Sequence, residues 1–228
     1  MATIGGPDNI IEDGLIFYVD AANKDSYVSG SSDTFSLINP NITGSLKNDT
    51  SFVSNNAGVW DFDGTDDYIG TSYDVASGNK TISFWFKSSY AGYQCVLGGS
   101  NDSFILGTFT SQIPMPNGVS YIQGSSSKIF GVTASVTDEY ADGNWHHFVY
   151  TYDGNSKIYI DSIEKTISYK SGTISSDDIV VIDNLGLGLN RSSYPKFNGN
   201  IGPVQIYNKA LSDEEVLQNY NALKGRFI

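Results

Sequence analysis

A two-residue period is the strongest constraint this chain places on its own fold. In KTISFWFK (80–87), Ile82, Phe84 and Phe86 fall on one face and Thr81, Ser83, Trp85 and Lys87 on the other, because successive side chains of a strand point to opposite sides. That pattern predicts a strand with one face in a core. Comparable runs recur as GLIFYVD (14–20), VWDFDG (59–64), SFILGTF (103–109), KIFGVTA (128–134), HHFVYTYDG (146–154), KIYIDS (157–162), DIVVID (178–183) and IGPVQIYN (201–208). Gly, Asn, Asp and Ser separate them, as turns require. The expected class is all-β. YTYDGNSKIYI reads as a hairpin turning at Asp153-Gly154-Asn155, whereas SGSSDTFS (29–36) and SGTISSDD (171–178) read as solvated loops.

One segment breaks the period. ALSDEEVLQNYNALKG places Ser212 as an N-cap with Glu215 three residues on, and Asp213 and Glu214 in the positively polarised first turn. Val216, Leu217, Tyr220 and Leu223 follow at helical spacing, so a short C-terminal helix over about 213–222, ended by Gly225, is expected. Capping accounts for its acids, which are therefore not read as a catalytic dyad.

A chain of 228 residues fits one domain of sandwich or barrel type. Acids outnumber bases 25 to 13, the net charge is -12, and arginine occurs only at Arg191 and Arg226. A phosphate backbone or an anionic membrane would be repelled, so neither nucleic acid nor membrane is an expected partner. No window reaches the roughly 18 apolar residues of a membrane span, and MATIGGPDNIIEDG lacks the basic and apolar segments of a signal peptide. The expectation is a soluble protein. Cys95, alone in YQCVLGG, is expected to be a small buried hydrophobe.

NWHHFVYTYDG holds both histidines. Strand alternation sends Trp145, His147, Val149 and Thr151 to one face and His146, Phe148, Tyr150 and Tyr152 to the other, so the two rings diverge rather than converge on one ion or proton. No Cys, Glu or third His stands nearby in sequence. Both histidines are expected to be strand residues, one buried and one exposed. The acids Asp61, Asp63, Asp66 and Asp67 of WDFDGTDDY carry two readings: an ion site without the calcium-loop spacing of an EF-hand, or the wet face of a half-buried strand, since they alternate with Trp60 and Phe62.

Taken together, DGLIFYVDAANKDSY, WDFDGTDDYIG, KTISFWFK, NWHHFVYTYDGNSKIYID and FNGNIGPVQIYNKALSDEEVLQNYNALKGRF resemble the laminin G-like, concanavalin A-like jelly-roll family from residue 13 onward. The resemblance implies two antiparallel sheets face to face, with first and last strands adjacent. Residues 13–228 would form that domain and residues 1–12 an N-terminal tether. The closing IYNKALSDEEVLQNYNALKGRF resembles versions of the domain in structural proteins of tailed bacteriophages, which implies a virion location and other virion proteins as partners. Many relatives bind a calcium ion between an acid after the first strand and acids in the last. Asp20 matches the first, but Gly202 and Pro203 stand where the others belong, so no metal and no cofactor is expected.

Hydrolases of this fold carry a strand with Glu-x-Asp-x-Glu or a close variant, and none occurs here; the only glutamates are Glu12, Glu139, Glu164, Glu214 and Glu215. A non-enzymatic capsid-decoration or tail-associated adhesion module with weak affinity for host-surface glycans is the expectation. The alternative is a polysaccharide hydrolase drawing carboxylates from distant strands, for instance Asp63 and Glu139. Sugar rings stack their apolar faces on Tyr and Trp while Asn and Asp bond to their hydroxyls. Trp85 is one candidate platform, with burial under a loop or the C-terminal helix as its alternative; the loop aromatics Tyr90, Tyr93 and Tyr194 are the others.

Overall fold

In the computed structural model, which describes residues 9–99, 102–106, 118–123, 128–132, 140–171, 180–188 and 195–228, two antiparallel sheets form a jelly-roll sandwich. The first sheet runs in the order Ile163–Lys165, Ser156–Ile160, Trp145–Tyr152, Lys80–Lys87, Asn198–Tyr207, Val59–Asp63 and Ser51–Val53. Leu15–Val19 also pairs with Asn198–Tyr207, setting Leu15 against Tyr207 and Val19 against Val204, so the first and last strands are adjacent. The second sheet runs Ser168–Ser171, Lys128–Val132, Val119–Gln123, Asp102–Leu106, Gln94–Gly98, Gly186–Leu187, Tyr68–Thr71, Thr43–Lys47 and Asp33–Phe35.

Between the sheets the period-two apolar residues meet. Phe84 stacks on Phe148 at 4.9 Å between ring centroids, and Phe104 from the second sheet meets Phe148 edge-on at 5.3 Å. Ile82, Phe86, Tyr150, Ile158, Trp60, Phe62 and Ile201 complete this interior with Phe17, Val96 and Leu97. Stacked and edge-on ring pairs of this kind add to the stabilisation from burial. Cys95, the chain's single cysteine, is fully buried in its strand, as expected.

The single-core-face reading of KTISFWFK needs correcting, because both faces of that strand are covered. The helix Asp213–Lys224 lies on its second face. There Leu211 and Val216 pack with Leu15, Val149, Tyr159 and Tyr207, and Leu223 and Phe227 pack with Val59, Trp85 and Trp145. Thr81 and Ser83 survive burial because each has a partner: the Thr81 hydroxyl donates to the Lys209 carbonyl at 2.8 Å and accepts from Leu211 N at 2.8 Å. The Ser83 hydroxyl meets His147 Nε2 at 2.8 Å. A buried hydroxyl so paired avoids its desolvation cost.

The helix starts as its sequence predicts, with the Ser212 hydroxyl accepting from Glu215 N and the Glu215 carboxylate from Ser212 N. It runs two residues further than expected, to Lys224, and Gly225 follows at φ -63 rather than in the left-handed cap. Leu217, counted with the apolar face, is 46% exposed, and Asn219 takes the buried place instead. Asn219 Nδ2 donates to the Tyr207 hydroxyl at 2.9 Å, and its Oδ1 accepts from Ile11 N at 2.7 Å. Asn9, Ile10 and Ile11 of the expected tether thus dock on the helix, with Gln218 adding a bond to the Asn9 carbonyl at 2.8 Å; residues 1–8 lie outside the described residues.

The hairpin turns where expected, with Tyr152 opposite Ser156 and Gly154 at φ 107. SGSSDTFS is not all loop: Asp33–Phe35 is an edge strand on Thr43–Lys47. Within DIVVID the described residues form only an isolated bridge, Ile182 to Val75. Residues 172–178 of SGTISSDD lie outside the described residues. Among the described residues no helix is long and apolar enough to cross a membrane.

Candidate functional site

Strand pairing in the first sheet brings three connections to one end. Lys87 ends its strand opposite both Trp145 and Asn200, near where those two neighbours begin, and Asn198 lies opposite Asp63, where the next strand ends. The segments beyond these residues carry Ser88–Tyr93, Tyr140–Asn144 and Gly64–Asp67. Tyr90 is 50% exposed. The ring lies against Gly92: a Cβ built there would sit 2.4 Å from Tyr90 Cε1 and Cζ and 2.5 Å from its hydroxyl. Only a residue without a side chain lets the ring rest in this place.

Beneath Tyr90 the loop is fixed by a buried polar network. Gln94 Nε2 donates to the Tyr90 carbonyl at 2.8 Å and to Ser88 Oγ at 2.9 Å. Ser88 Oγ in turn accepts from Tyr90 N at 3.1 Å and donates to the Asn198 carbonyl at 2.6 Å, while Gln94 Oε1 accepts from Asn198 N at 2.8 Å. Every polar atom of this cluster has a partner, so the loop is preorganised rather than draped. Binding to a rigid surface costs less ordering entropy.

The neighbouring loop is joined by Gly143 N, which donates to the Ser88 carbonyl at 2.8 Å. Asp142 takes both Asn144 N and Asn144 Nδ2 at 2.7 Å, shaping the turn and leaving exposed amide and carboxylate groups beside Tyr90's loop. Burial works against its ionisation, but bonds from Asn144 and His146 outweigh this and hold Asp142 below the usual carboxylate range.

His146 and His147 diverge as alternation requires, yet they share a partner that sequence proximity did not show. Asp161 accepts from His147 N at 2.8 Å through Oδ1 and meets His146 Nδ1 at 2.8 Å through Oδ2. His146 Nε2 lies 3.2 Å from Asp142 Oδ1. The hairpin itself was the missed signal, since counting back from its turn sets Asp161 opposite His147. Burial disfavours charge on His146, but the hydrogen bonds and charges of Asp161 and Asp142 outweigh it and raise its pKa. His147, fully buried, is pushed down to about 3 by desolvation, against the pull of Asp161.

Of the residues singled out for sugar stacking, Trp85 is corrected. It is 1% exposed, and its ring lies parallel to Phe227 at 4.4 Å, His147 at 4.9 Å and Tyr220 at 5.6 Å. The helix and the residues after it cover the ring, leaving no surface for a ligand. Tyr93 is half-buried beside Gly92, and Tyr194 lies outside the described residues. Tyr90 alone of the four stands open among the described residues.

The acidic turn also differs from a row of wet carboxylates. Asp67 is buried, accepting from Asp49 N at 2.9 Å and Asp63 N at 3.0 Å, and desolvation, reinforced by the charge of Asp63, raises its pKa. Asp61 accepts from Asn200 Nδ2 at 2.6 Å, and Asp63 from Thr65 N at 2.7 Å. Ligand-capable oxygens of Asp63, Asp66 and Asp67 lie within 4.8 Å of one another, but the bonds named here spend two of the three carboxylates on folding the turn. Glu139, paired with Asp63 in the hydrolase alternative, lies outside the described residues.

The calcium position of the family does not fit this chain. Asp20 is held by Arg226, whose Nη1 and Nη2 donate to its two oxygens at 2.7 and 3.1 Å. Gly202 and Pro203 sit in a bulge of the last strand, and a Cβ at Gly202 would lie 3.0 Å from Phe227 Cζ and 3.1 Å from Trp85 Cβ. Where an acidic ligand would reach inward, a phenyl ring fills the space. A guanidinium already neutralises the remaining carboxylate, so neither the charge nor the room that calcium requires is left.

No curated protein sequence matches the chain. Among solved structures, domain 4 of AbnA, an extracellular arabinanase from Geobacillus stearothermophilus solved with arabinotriose, aligns at 19% identity and TM-score 0.62 over 93% of this chain and 100% of that one. The receptor-binding domain of botulinum neurotoxin C/D mosaic serotype aligns at 14% identity and TM-score 0.66, covering 92% of this chain and 51% of that domain. The binding domain of Paraclostridial Mosquitocidal Protein 1 gives 15% identity and TM-score 0.65, covering 92% and 52%. The chain thus spans the whole of the first and about half of the other two; at these identities the likeness speaks for fold. The family described as the concanavalin A-like lectin/glucanases superfamily matches residues 63–217, and with the sandwich above this makes the chain a member of that superfamily.

Proposed function

We propose that this protein is a non-enzymatic carbohydrate-binding module whose sugar platform is Tyr90, displayed on a bacteriophage particle as a capsid-decoration or tail-associated adhesion domain. The observation that carries this reading is the half-exposed Tyr90 ring resting on Gly92, its backbone fixed by Gln94, beside the loop of Asp142 and Asn144. An aromatic surface on a loop bonded to one that carries amide and carboxylate groups offers the stacking and hydroxyl-bonding chemistry that a saccharide needs. The AbnA domain, of comparable length and fold, was solved with arabinotriose, which supports a module of this size taking a short sugar. Against catalysis, Glu164 pairs with Lys157, Glu214 accepts from Ser212 Oγ, and Glu215 is engaged by Lys209 and the helix cap. The likeness of the closing segment to phage structural proteins supports the virion setting.

The test is incubation with arabinotriose and a panel of bacterial surface polysaccharides, measuring both binding and released reducing ends. Retention without release is expected, and Tyr90→Ala should lose binding while keeping its melting temperature. Reducing ends appearing at enzymatic rates would replace this reading with the hydrolase. Mass spectrometry of purified particles checks the setting; absence from the particle sinks it.

A further inference from the structure

We propose that His146 is a proton-dependent positioning residue for the Tyr140–Asn144 loop, so that saccharide binding at Tyr90 is strong when the imidazole carries both protons and weakens when it loses one. The inference rests on the reading of Tyr90 and its neighbouring loop as the sugar site.

Its basis is geometric. His146 presents Nδ1 to Asp161 at 2.8 Å and Nε2 to Asp142 at 3.2 Å, one carboxylate at each ring nitrogen. A neutral imidazole has one N–H and one lone pair, so it can donate to only one of the two; the other nitrogen would face a carboxylate oxygen with no proton between them. The imidazolium donates to both. In that state the ring ties Asp142, on the loop, to Asp161, in the turn that follows Ser156–Ile160. Among the described residues the charged groups facing His146 are these two aspartates, and its other neighbours are the rings of Tyr140, edge-on at 5.5 Å, and Phe86 at 5.8 Å. His147 points to the opposite face and stays neutral.

The tie reaches the platform in two steps. Asp142 shapes the turn by accepting both nitrogens of Asn144, and Gly143 between them donates to the Ser88 carbonyl, whose hydroxyl holds Tyr90 N. Loss of the Nε2 proton turns the Asp142 contact from attraction into repulsion. That bond is the longer of the two, and Asp161 is held besides by His147 N, so the Asp142 contact parts first. The Asp161 bond, shared with His147 N, keeps the ring in place. The raised pKa of His146 agrees with a ring built to be charged, and histidine is the side chain whose ordinary pKa lies near neutral pH.

Two measurements on the full chain decide it. The first needs no ligand: amide spectra of Gly143, Asn144, Ser89 and Tyr90 followed through a pH titration should move with the His146 ring in the wild type and stay flat in His146→Gln. The second is calorimetry with arabinotriose and the best-retained polysaccharide of the panel at about pH 5.5 and about pH 8.5, either side of an ordinary histidine pKa. Affinity should fall about fivefold or more at the higher pH, the low end of ordinary coupling between sites, and the variant should bind at the weaker level at both. Amides that ignore the titration, or a variant as pH-sensitive as the wild type, overturn the inference. Intact binding that does not change with pH overturns it while leaving the glycan reading standing. Absence of binding at both pH values with the amide titration intact sinks the glycan reading, and the claim on affinity with it.

Discussion

Asp20 and Arg226, separated by nearly the whole chain, form a bidentate ion pair at 2.7 and 3.1 Å, and the same guanidinium donates to the carbonyls of Asn56 and Gly58 at 3.2 and 3.1 Å. Arg226 thus binds the first strand's acid and the turn before Val59–Asp63 together. Asn56 returns the contact through its side chain to the Arg226 carbonyl and accepts from Trp145 Nε1 at 3.2 Å. Arg226 thus acts as an internal cation for the buried Asp20 carboxylate.

Two outcomes follow from this pair. A chelator should leave the melting temperature of the protein unchanged, because an ion that does not bind contributes no linkage stabilisation. Arg226→Ala should lower stability by roughly 3 kcal/mol, since it leaves a buried carboxylate without its counter-charge. Denaturation midpoints with and without calcium check both; a fall of many degrees on chelation would show that an ion is held despite Arg226.

Trp85 and Trp145 belong to the packing beneath the helix, where Trp145 meets Phe227 at 4.6 Å. Truncating either to alanine should cost about 3–5 kcal/mol, as removal of a large enclosed ring does. Saccharide affinity per folded molecule should be unaltered. Unchanged stability with abolished binding for Trp85→Ala would restore it as a platform.

These cases mark what the sequence could carry. Ile82, Phe84 and Phe86 announce their core face because the two-residue period is local. Thr81 and Ser83 on the other face look wet, and nothing nearby says otherwise, since the helix that covers them arrives after the last strand. The Ser212–Glu215 box is legible for the same local reason. Asp20–Arg226 is not, because it is set by where two chain ends meet. Tyr90 was identifiable as a candidate by residue type, whereas its selection over Trp85 depends on burial, and burial depends on the whole fold. His146 lies between these extremes: its partner Asp161 follows from hairpin register, while Asp142 needs the loop's path.

His147 makes a pH prediction of definite sign. Its folded pKa of about 3 lies below the ordinary 6.5, so between these values the unfolded chain binds a proton that the folded one does not. Stability therefore falls as pH drops from about 6.5 towards about 3. Removing the titrating ring in His147→Gln should remove one proton's worth of slope from that window, whatever the variant's absolute stability. Urea midpoints across the window measure it, and a slope identical to wild type would mean that His147 is already charged in the folded protein. His146 works oppositely: its raised pKa contributes stability that is complete below the ordinary value and lost as pH rises through the folded one.

Gly92 offers the sharpest separation of binding from folding. A methyl group there would come within 2.5 Å of the Tyr90 ring, but the atoms it meets are the far end of a side chain that is half in solvent. Moving that ring costs little stability, because few buried contacts are lost and a surface change of this kind usually stays within about 0.5 kcal/mol. The backbone network of Gln94 and Ser88 does not involve the Gly92 hydrogens and should persist. Gly92→Ala is therefore expected to melt at the wild-type temperature while displacing the platform, with saccharide affinity reduced towards that of Tyr90→Ala. Combining the two substitutions should add nothing further, since both act through one ring. Thermal melts beside calorimetric titration of the single and double variants read this directly, and a Gly92→Ala protein that binds as tightly as wild type would show that the resting place of Tyr90 is irrelevant to the ligand.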